Sequence, residues 1–490
     1  MNKRLIRLAN VSSFAILILG LGPAGLAQDI THPRKMNLPS SSFTHPDPQD
    51  FRVTLGNGLV SYVVEDHQVP LVSVTAMITA GTSDDSKAGA AETLNHVFKK
   101  VGATGIAGAA FHDALRQMVA DYLVEMSPEV TKISLNVPAE DTKEALRLLA
   151  ALLQTPQISK EAVETLRARS AKKANSSEGA SGESGPVLYE GSLTSAVERF
   201  RTILFEGSTA GKKTYDKLSV EDVKRFHASW FVPGNVVLAV SGDFDSEETK
   251  SQVREIFGDW HSAPTPKHPA ASASRTSQPR TIHTYPADKL QVWIVLGHEL
   301  PQVPRKDQAA LSVMNYILGG GHFDTRLFRE TRDKRGLTND TSGFLEPRWR
   351  GNGSYTFRTY GRPEVIRLLV ELVMKEIRRI RAEPVTEEEL FVAKGALADG
   401  VFQMWFENGH TTALRFAEEW LHYRNHEDTE TYVERIGAVS MQDVQAAAQK
   451  YLHPERMQMV LMGPIGEVQT STFPEGKFRL EDFGRMVAGK

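Results

Sequence analysis

The chain has 490 residues, of which 41% are hydrophobic and 24% are charged; its formal net charge is −3 and it contains no cysteine. The near-neutral charge excludes the broad basic surface that nucleic-acid binding requires. Without cysteine, a disulfide-stapled scaffold and a cysteine-linked lipid anchor are both excluded, so stability must come from large hydrophobic cores.

The N-terminus has the pattern of a secretory signal. Three cations in "MNKRLIRLAN" (Lys3, Arg4 and Arg7) precede the short apolar run "FAILILGLG" and the small residues of "PAGLAQD". We expect residues 1–27 to be a signal peptide cleaved after Ala27. Because no later segment is a long uninterrupted apolar run, no membrane span is expected. A periplasmic location is therefore predicted, with secretion beyond the cell as the alternative.

Composition predicts a flexible lead-in and two domains. Residues 28–50 form the lead-in, which becomes rich in Pro, Ser and Asp. The segment "HSAPTPKHPAASASRTSQPR", residues 261–280, is dense in Pro, Ser and Ala and predicts an exposed linker. It separates an N-terminal domain, 51–260, from a C-terminal domain, 281–490. These two domains are called the N-terminal half and the C-terminal half below.

Each half mixes strand patterns with helix patterns. In the N-terminal half "LVSYVVED" and "PLVSVTAMITAG" are typical of strands, and "AEDTKEALRLLAALLQTP" has apolar residues at helical spacing, an acidic start and a Pro stop. In the C-terminal half "KLQVWIVLG" predicts a strand and "RPEVIRLLVELVMKEIRRIRAEP" a long helix. The predicted fold class is α+β, with sheets and helices in layers.

The end of each half carries the same helix–turn–strand sequence pattern. "LSVEDVKRFHASWFVPGNVVLAVSGDF" corresponds without gaps to "VSMQDVQAAAQKYLHPERMQMVLMGPI". The matching positions are Val223 with Val444, Pro233 with Pro454, and Gly242 with Gly463, each 221 residues apart. An ungapped match at three positions indicates an internal duplication.

The segment "AAETLNHVFKK", residues 90–100, has the outline of a metal-binding helix. Glu92 and His96 are four residues apart and therefore share one helix face, with Asn95 between them. A carboxylate and an imidazole at this spacing could hold a metal ion only weakly, because a zinc site requires further ligands.

Taken with its flanks, this segment resembles the zinc helix of the pitrilysin/insulinase family of zinc metallopeptidases, the inverted zincins. The resemblance rests on "VTLGNGLVSYVVEDHQVPLVSVTAMITAGTSDD", "GAAETLNHVFKKVGATG" and "LGGGHFDTRLFRETRDKRGLTND", in the family's order, and covers almost everything after residue 50. It implies two homologous domains, each a mixed β-sheet backed by helices, arranged as a clamshell that encloses peptides.

The resemblance also implies that the zinc chemistry has been lost. In the family's H-x-x-E-H motif two His bind zinc and the Glu deprotonates the attacking water. Here Glu92 stands at the first His, Asn95 at the general base and His96 at the second His. Counted from Arg167 at the family's Glu-Arg arginine, the third ligand falls at Lys173. An amide cannot accept the proton and an ammonium cannot bind a cation, so neither catalysis nor a zinc cofactor is expected.

Two alternatives concern the side chains left at these positions. Glu92 and Lys173 carry opposite charges where two ligands once met a cation, so an ion pair is one prediction and exposure of both side chains is the other. For His96 the alternative to a residual ligand is a core histidine that hydrogen-bonds to the backbone.

In the C-terminal half the resemblance places a substrate-holding arginine at Arg326 and the tyrosine of that pair at Asn339. The alternative for Arg326 is a solvated or intradomain salt bridge. The glycines at 319–321 are interpreted as a helix-entry turn with positive φ. His422 and His426, four apart, are interpreted as an incidental surface pair.

Three functions remain open at this stage. The chain is first predicted to be a non-catalytic partner of an exported, zinc-bearing homologue, helping to bind or degrade peptides. The second hypothesis is a zinc metalloendopeptidase with an unconventional site. The third is a free-standing periplasmic peptide-binding protein.

Overall fold

The computed structural model describes residues 43–104, 106, 108–175, 192–206, 215–264, 267–269, 279–470 and 478–489; for 108–109 and 172–175 it describes only the backbone. The strands of the N-terminal half are β1 (Arg52–Thr54), β2 (Val60–Glu65), β3 (Leu71–Ile78), β4 (Asp121–Met126), β5 (Thr131–Pro138) and β6 (Val236–Gly242). Those of the C-terminal half are β7 (Thr281–Pro286), β8 (Val292–Leu300), β9 (Thr341–Glu346), β10 (Gly353–Gly361), β11 (Gln458–Gly463) and β12 (Arg485–Ala488).

Helices connect and cover these strands. In the N-terminal half they are α1 (Pro48–Phe51), α2 (Ala90–Lys100), α3 (Gly108–Gln117), α4 (Thr142–Gln154), α5 (Lys160–Asn175), α6 (Leu193–Arg201), α7 (Val220–Trp230) and α8 (Ser246–Phe257). In the C-terminal half they are α9 (Arg305–Asn315), α10 (Arg326–Phe328), α11 (Ile366–Ala382), α12 (Glu387–Gly395), α13 (Phe402–Met404), α14 (Gly409–Tyr423), α15 (Glu427–Ala438), α16 (Met441–Tyr451), α17 (Ile465–Thr470) and α18 (Leu480–Phe483).

The two halves repeat one sheet topology. The strand order is β1-β2-β6-β3-β5-β4 in the first sheet and β12-β7-β11-β8-β10-β9 in the second. In both sheets the second and third strands in this order are parallel, and this pair ends with Glu65 opposite Gly242 in one sheet and Pro286 opposite Gly463 in the other. The outermost strand beside this pair comes from a different place in the chain in each half. β1 precedes the other strands of its sheet, whereas β12 follows the other strands of its sheet. The predicted α+β fold class with two mixed sheets backed by helices is confirmed.

The repeated motif also has the same local chemistry in each half. Ser219 and Asp222 form a capping box at the start of α7, and Ser440 and Asp443 form the same box at the start of α16. Each box satisfies backbone N–H groups that the first helical turn would otherwise leave unpaired. The helix therefore begins at equivalent positions in both halves, and the strand after it ends at equivalent positions, Gly242 and Gly463.

Each sheet is covered on one face by its own helices and on the other by a helix from the other half. α14 packs on β2 and β6 of the first sheet, and α6 packs on β8 and β11 of the second. The buried apolar residues at the contact between α14 and the first sheet are Val60, Tyr62, Val64, Met77, Val237, Ala239, Ala413, Phe416, Ala417 and Leu421. Because apolar burial is the main driving force of folding, this exchange ties the two halves together. Both belong to one compact unit, Thr44–Lys490.

The boundaries predicted from composition can be compared with the structure only in part. The signal segment, 1–27, lies outside the described residues. At the end of the lead-in Pro48–Phe51 form a helix capped by Asp47, so this stretch is ordered. The described residues of the linker, within 261–280, contain no helix or strand and are mostly exposed. Over the described part of the chain, no helix is both long and apolar enough to cross a membrane.

The glycines at 319–321 do not have the positive φ that was predicted, although Gly321 does precede a short 3-10 helix, His322–Asp324. They lie at the C-terminal end of the π-helical segment Tyr316–Gly320, and none has positive φ. A Cβ atom on Gly319 would lie 2.8 Å from the backbone N of Gly343, and one on Gly320 would lie 2.4 Å from the Asn315 amide. The glycines are needed because the segment passes close to neighbouring atoms, which a sequence pattern does not reveal.

Candidate functional site

The helix α2 presents the degenerate motif on its less buried face. Its core-facing residues are Ala90, Ala91, Thr93, Leu94, Val97 and Phe98. The helix starts after Gly89, which has φ 95°, and the Asp85 carboxylate accepts hydrogen bonds from the backbone N–H groups of Gly89 and Ala91 at 2.9 and 2.7 Å. Glu92, Asn95 and His96 are all partly exposed on the same side, as the i, i+4 spacing predicts.

Glu92 has a partner that sequence reasoning did not identify. The Tyr215 hydroxyl donates a hydrogen bond of 2.8 Å to Glu92 Oε2, and the Tyr215 ring is buried against Gly89. The carboxylate at the first ligand position is therefore engaged by a phenol. The two residues are 123 positions apart, so no local pattern could have indicated the contact.

Asn95, at the position that the resemblance assigns to the general base, has a buried side-chain oxygen. Among the described residues its Oδ1 atom has no hydrogen-bond partner. Buried polar atoms are nearly always hydrogen-bonded, so this oxygen favours a hydrogen-bond donor as its neighbour. An amide oxygen can accept a hydrogen bond but cannot take up a proton at ordinary pH.

The surroundings of His96 favour its neutral form. Burial lowers the pKa of His96, and the positive charges of Arg169 and Lys100 lower it further. A neutral imidazole is the form that binds metals, yet a single imidazole is not a zinc site. The alternative interpretation, a histidine bonded to the backbone, has no counterpart among the hydrogen bonds of the described residues.

The helix that would supply the third ligand lies against α2. This is α5, and Arg167 anchors it by donating to the backbone carbonyl of Leu218. Lys173 is in the last turn of α5, but its side chain lies outside the described residues. The Glu92–Lys173 ion pair therefore stays a prediction, and the structure adds Tyr215 as a competing partner for Glu92.

The donor set does not suit a zinc ion. Of the four motif positions only Glu92 and His96 have the side chains that zinc sites use, and Glu92 already accepts a hydrogen bond from Tyr215. No group of three or more His, Cys, Asp or Glu side chains that could hold a metal occurs within the described residues. Zinc sites use at least three protein ligands, so no catalytic step through zinc can be derived for this chain.

In the C-terminal half Arg326 is buried in an intradomain ion pair. It is 4% exposed, and its Nε and Nη2 atoms each donate a 2.7 Å hydrogen bond to the Glu389 carboxylate. Burial opposes ionisation of Glu389, but these hydrogen bonds prevail and lower its pKa. Within the described part of the chain Arg326 Nη1 has no hydrogen-bond partner. Asn339 is exposed in the segment before β9. A substrate contact by this pair stays a prediction.

His422 and His426 are not a surface pair. His426 Nε2 is 2.6 Å from the Tyr62 hydroxyl of the other half, and its Nδ1 is 3.5 Å from Glu419 Oε2. His422 instead stacks on Trp349, with ring centroids 3.3 Å apart. The two imidazoles have separate partners, so they do not form a metal site together.

Two family models match the chain. The model described as Insulinase (Peptidase family M16) matches residues 60–182, and the model described as Peptidase M16 inactive domain matches residues 217–397. The first match contains the altered motif on α2, and the second contains Arg326 and Asn339.

Curated relatives include both proteases and a protein without that activity. An uncharacterized zinc protease of Mycobacterium leprae is 27% identical over 250 residues, covering 50% of this chain and 54% of that protein. The non-peptidase homolog YmxG of Helicobacter pylori is 24% identical over 310 residues, 62% of this chain and 67% of that protein. The zinc protease PqqE of the same bacterium is 27% identical over 184 residues, 35% and 39% of the two chains. The chain thus spans about half the length of the first of these relatives.

A solved structure has the same fold. A peptidase M16 inactive domain from Pseudomonas fluorescens superimposes with a TM-score of 0.67 at 21% sequence identity, covering 86% of this chain and 98% of that one. At this identity the likeness establishes the arrangement of sheets and helices, while the chemistry has to be argued from the side chains.

Proposed function

Because the chain belongs to the insulinase family, peptidase family M16, we propose that it is a non-catalytic member that binds peptides as the partner of a zinc-bearing homologue. The observation that carries the proposal is the chemistry of α2. Asn95 replaces the general base, and the Glu92 carboxylate at the first ligand position is hydrogen-bonded to Tyr215. Loss of the base alone removes the group that would activate water.

Peptide binding is supported by the strand beside α2. β4 is the last strand of its sheet and pairs only with β5, so no described strand covers its outer edge. Its exposed residues alternate at Asp121, Leu123 and Glu125, and α2 packs against the same strand. An extended peptide can add to such an edge through backbone hydrogen bonds. This would place the peptide next to the Asn95 oxygen.

A catalytic partner is supported by the relatives. Helicobacter pylori has both a non-peptidase homolog and a zinc protease that are similar to this chain. This chain has two sheets, so a pair of such chains that encloses a peptide would have four sheets around it. We propose a periplasmic location for this chain on the basis of its N-terminal signal pattern, and its partner would have to be exported as well.

The test is co-expression of the chain with an exported homologue of the same genome that keeps H-x-x-E-H. Alone, the chain should contain far less than one zinc per molecule and show no chelator-sensitive cleavage of quenched fluorescent peptides. Together, the two should elute as a complex with cleavage. Chelator-sensitive hydrolysis by the rigorously purified chain would establish the unconventional peptidase instead. A stable monomer that binds peptide without any homologue would establish the free-standing binding protein.

Two matched controls sharpen this test. The triple variant Glu92→His, Asn95→Glu and Lys173→Glu restores the ligand types and should bind zinc more readily than it cleaves, since Asn339 still replaces the substrate-holding tyrosine. A peptide N-methylated at alternate residues loses the backbone donors needed for strand addition. It should bind the wild-type complex more weakly than the unmodified peptide.

A further inference from the structure

An ion-pair cluster joins the two halves beside the loop that leads into α2. Arg350, in the turn between β9 and β10, donates from Nη1 and Nη2 to the two Asp84 carboxylate oxygens at 2.6 and 2.9 Å. The Asp84 side chain is completely buried. His268, from the linker, lies 3.0 Å from the same carboxylate and stacks on Trp230. One carboxylate of the N-terminal half thus meets the linker and the C-terminal half.

A second carboxylate receives the backbone of the same turn. Glu129, buried in the turn between β4 and β5, accepts a hydrogen bond of 2.8 Å from the backbone N of Trp349 and longer ones of 3.4 Å from that of Arg350. In return Arg350 Nη2 donates to the Glu129 carbonyl at 3.0 Å. The Arg350 turn is therefore held by side-chain and backbone contacts to two segments of the other half.

The clustered segments lead directly to the start of α2. Asp84 also accepts from the backbone N of Gly81 at 2.9 Å, and Ser83 N donates to the Pro128 carbonyl at 2.8 Å. The next residue, Asp85, binds the backbone N–H groups of Gly89 and Ala91. Adjacent residues thus face opposite ways: Asp84 contacts the other half, and Asp85 holds the first turn of the helix that carries the altered motif.

We infer that Arg350 is a positioning residue that acts from the C-terminal half to hold the first turn of α2. Its planar guanidinium matches the Asp84 carboxylate in a two-point contact, which a lysine cannot reproduce. Without Arg350 the buried Asp84 carboxylate loses its main positive partner, so the loop must open to reach water. That opening would release Asp85 and with it the entry of α2. The inference goes beyond the proposed function, because it concerns the isolated chain and requires no partner.

Hydrogen–deuterium exchange of the full chain tests this role. In Arg350→Ala the backbone amides of residues 85–92 should exchange at least about tenfold faster, because local opening controls their exchange. The matched control is Arg335→Ala. Arg335 pairs with Glu330 within one half and is similarly exposed, 27% against 21% for Arg350. That variant should leave residues 85–92 unchanged.

The conservative variant separates positioning from general stability. Arg350→Lys keeps the charge but loses the two-point contact, so residues 85–92 should exchange at a rate between those of the wild type and Arg350→Ala. If Arg350→Ala fails to fold, the inference is tested with Arg350→Lys alone. Exchange of residues 85–92 in Arg350→Lys at the wild-type rate would then overturn the inference. Faster exchange confined to residues 347–352 would overturn it too, as would an equal effect of Arg335→Ala at residues 85–92.

Discussion

Two tyrosine hydroxyls form hydrogen bonds with ionisable side chains that could otherwise bind a metal ion. Tyr215 binds the Glu92 carboxylate and Tyr62 binds the buried His426 imidazole, at 2.8 and 2.6 Å. In each case the sequence pattern indicates a potential metal ligand, and in the structure this side chain is hydrogen-bonded to a tyrosine from a distant segment. Since a buried polar group without a partner is destabilising, these contacts favour the structural role of the side chain over coordination.

A prediction at the residue scale concerns His422. Burial, together with the charges of Lys132, Arg350 and Arg424, lowers the pKa of His422 to about 3. The folded state therefore favours neutral His422, whose stabilising contribution is complete above the unfolded pKa of about 6.5 and is lost as pH falls toward 3.

Between pH 7 and pH 5 the wild type should lose about 2 kcal/mol of unfolding free energy through His422. His422→Phe keeps a ring that can stack on Trp349 and should lose correspondingly less; urea denaturation at both pH values measures the difference. His261→Phe, at an exposed position, is the control and should lose as much as the wild type. Identical acid sensitivity in all three proteins would contradict the assignment to His422.

At the scale of elements, the exchanged helices determine how the halves are joined. Beyond its apolar contacts α14 has two polar ties to the N-terminal half: its Gly409 N–H donates to Asp66 at 2.7 Å, and its Glu418 pairs with Lys132 at 2.5 Å. On the reciprocal helix α6, Arg201 pairs with Glu346 of the second sheet at 3.0 Å. Because each half covers a sheet of the other, we expect neither half to be independently stable.

The prediction for this element is that Phe416→Ala destabilises the whole chain. Phe416 is fully buried between α14 and the first sheet, with its ring centroid 5.9 Å from that of Tyr62. Removing it should lower the unfolding free energy by about 3–5 kcal/mol, with tryptophan fluorescence and circular dichroism following a single urea transition. Phe391→Ala, at a position 78% exposed, should change it by less than about 0.5 kcal/mol. Two separate transitions in the wild type would show that the halves fold independently.

At the scale of the whole molecule, the duplication places a glycine with the same backbone constraint at the end of one strand in each half. Gly242 and Gly463 end equivalent strands with φ 133° and 145°. A Cβ atom would lie 2.1 Å from the Leu71 carbonyl oxygen in one half and 2.5 Å from the Gln291 carbonyl oxygen in the other. Both positions therefore combine a left-handed conformation with a close approach of the neighbouring strand, conditions that only glycine meets.

Alanine at either position should consequently be destabilising. We expect Gly242→Ala and Gly463→Ala each to lower the unfolding free energy by about 1–3 kcal/mol. Gly466→Ala, in helix α17 with open space around the glycine, is the control and should be neutral or stabilising by up to about 1 kcal/mol. Thermal denaturation of the three variants checks this. A large loss at only one of the two equivalent positions would contradict the equivalence of the halves.

By itself the sequence determined the family, the α+β class, the repeated helix–turn–strand unit and the presence of an amide, Asn95, at the position that the resemblance assigns to the general base. These follow from local patterns: strand and helix periodicity, a repeat of fixed length and the chemistry of one side chain. Only the tertiary structure revealed Tyr215 on Glu92, Glu389 on Arg326 and the exchange of α6 and α14. Such contacts join residues 63 to 123 positions apart, or different halves, and no local spacing specifies them. The sequence therefore identifies the side chains that stand at the motif positions, and the fold decides which residues contact those side chains.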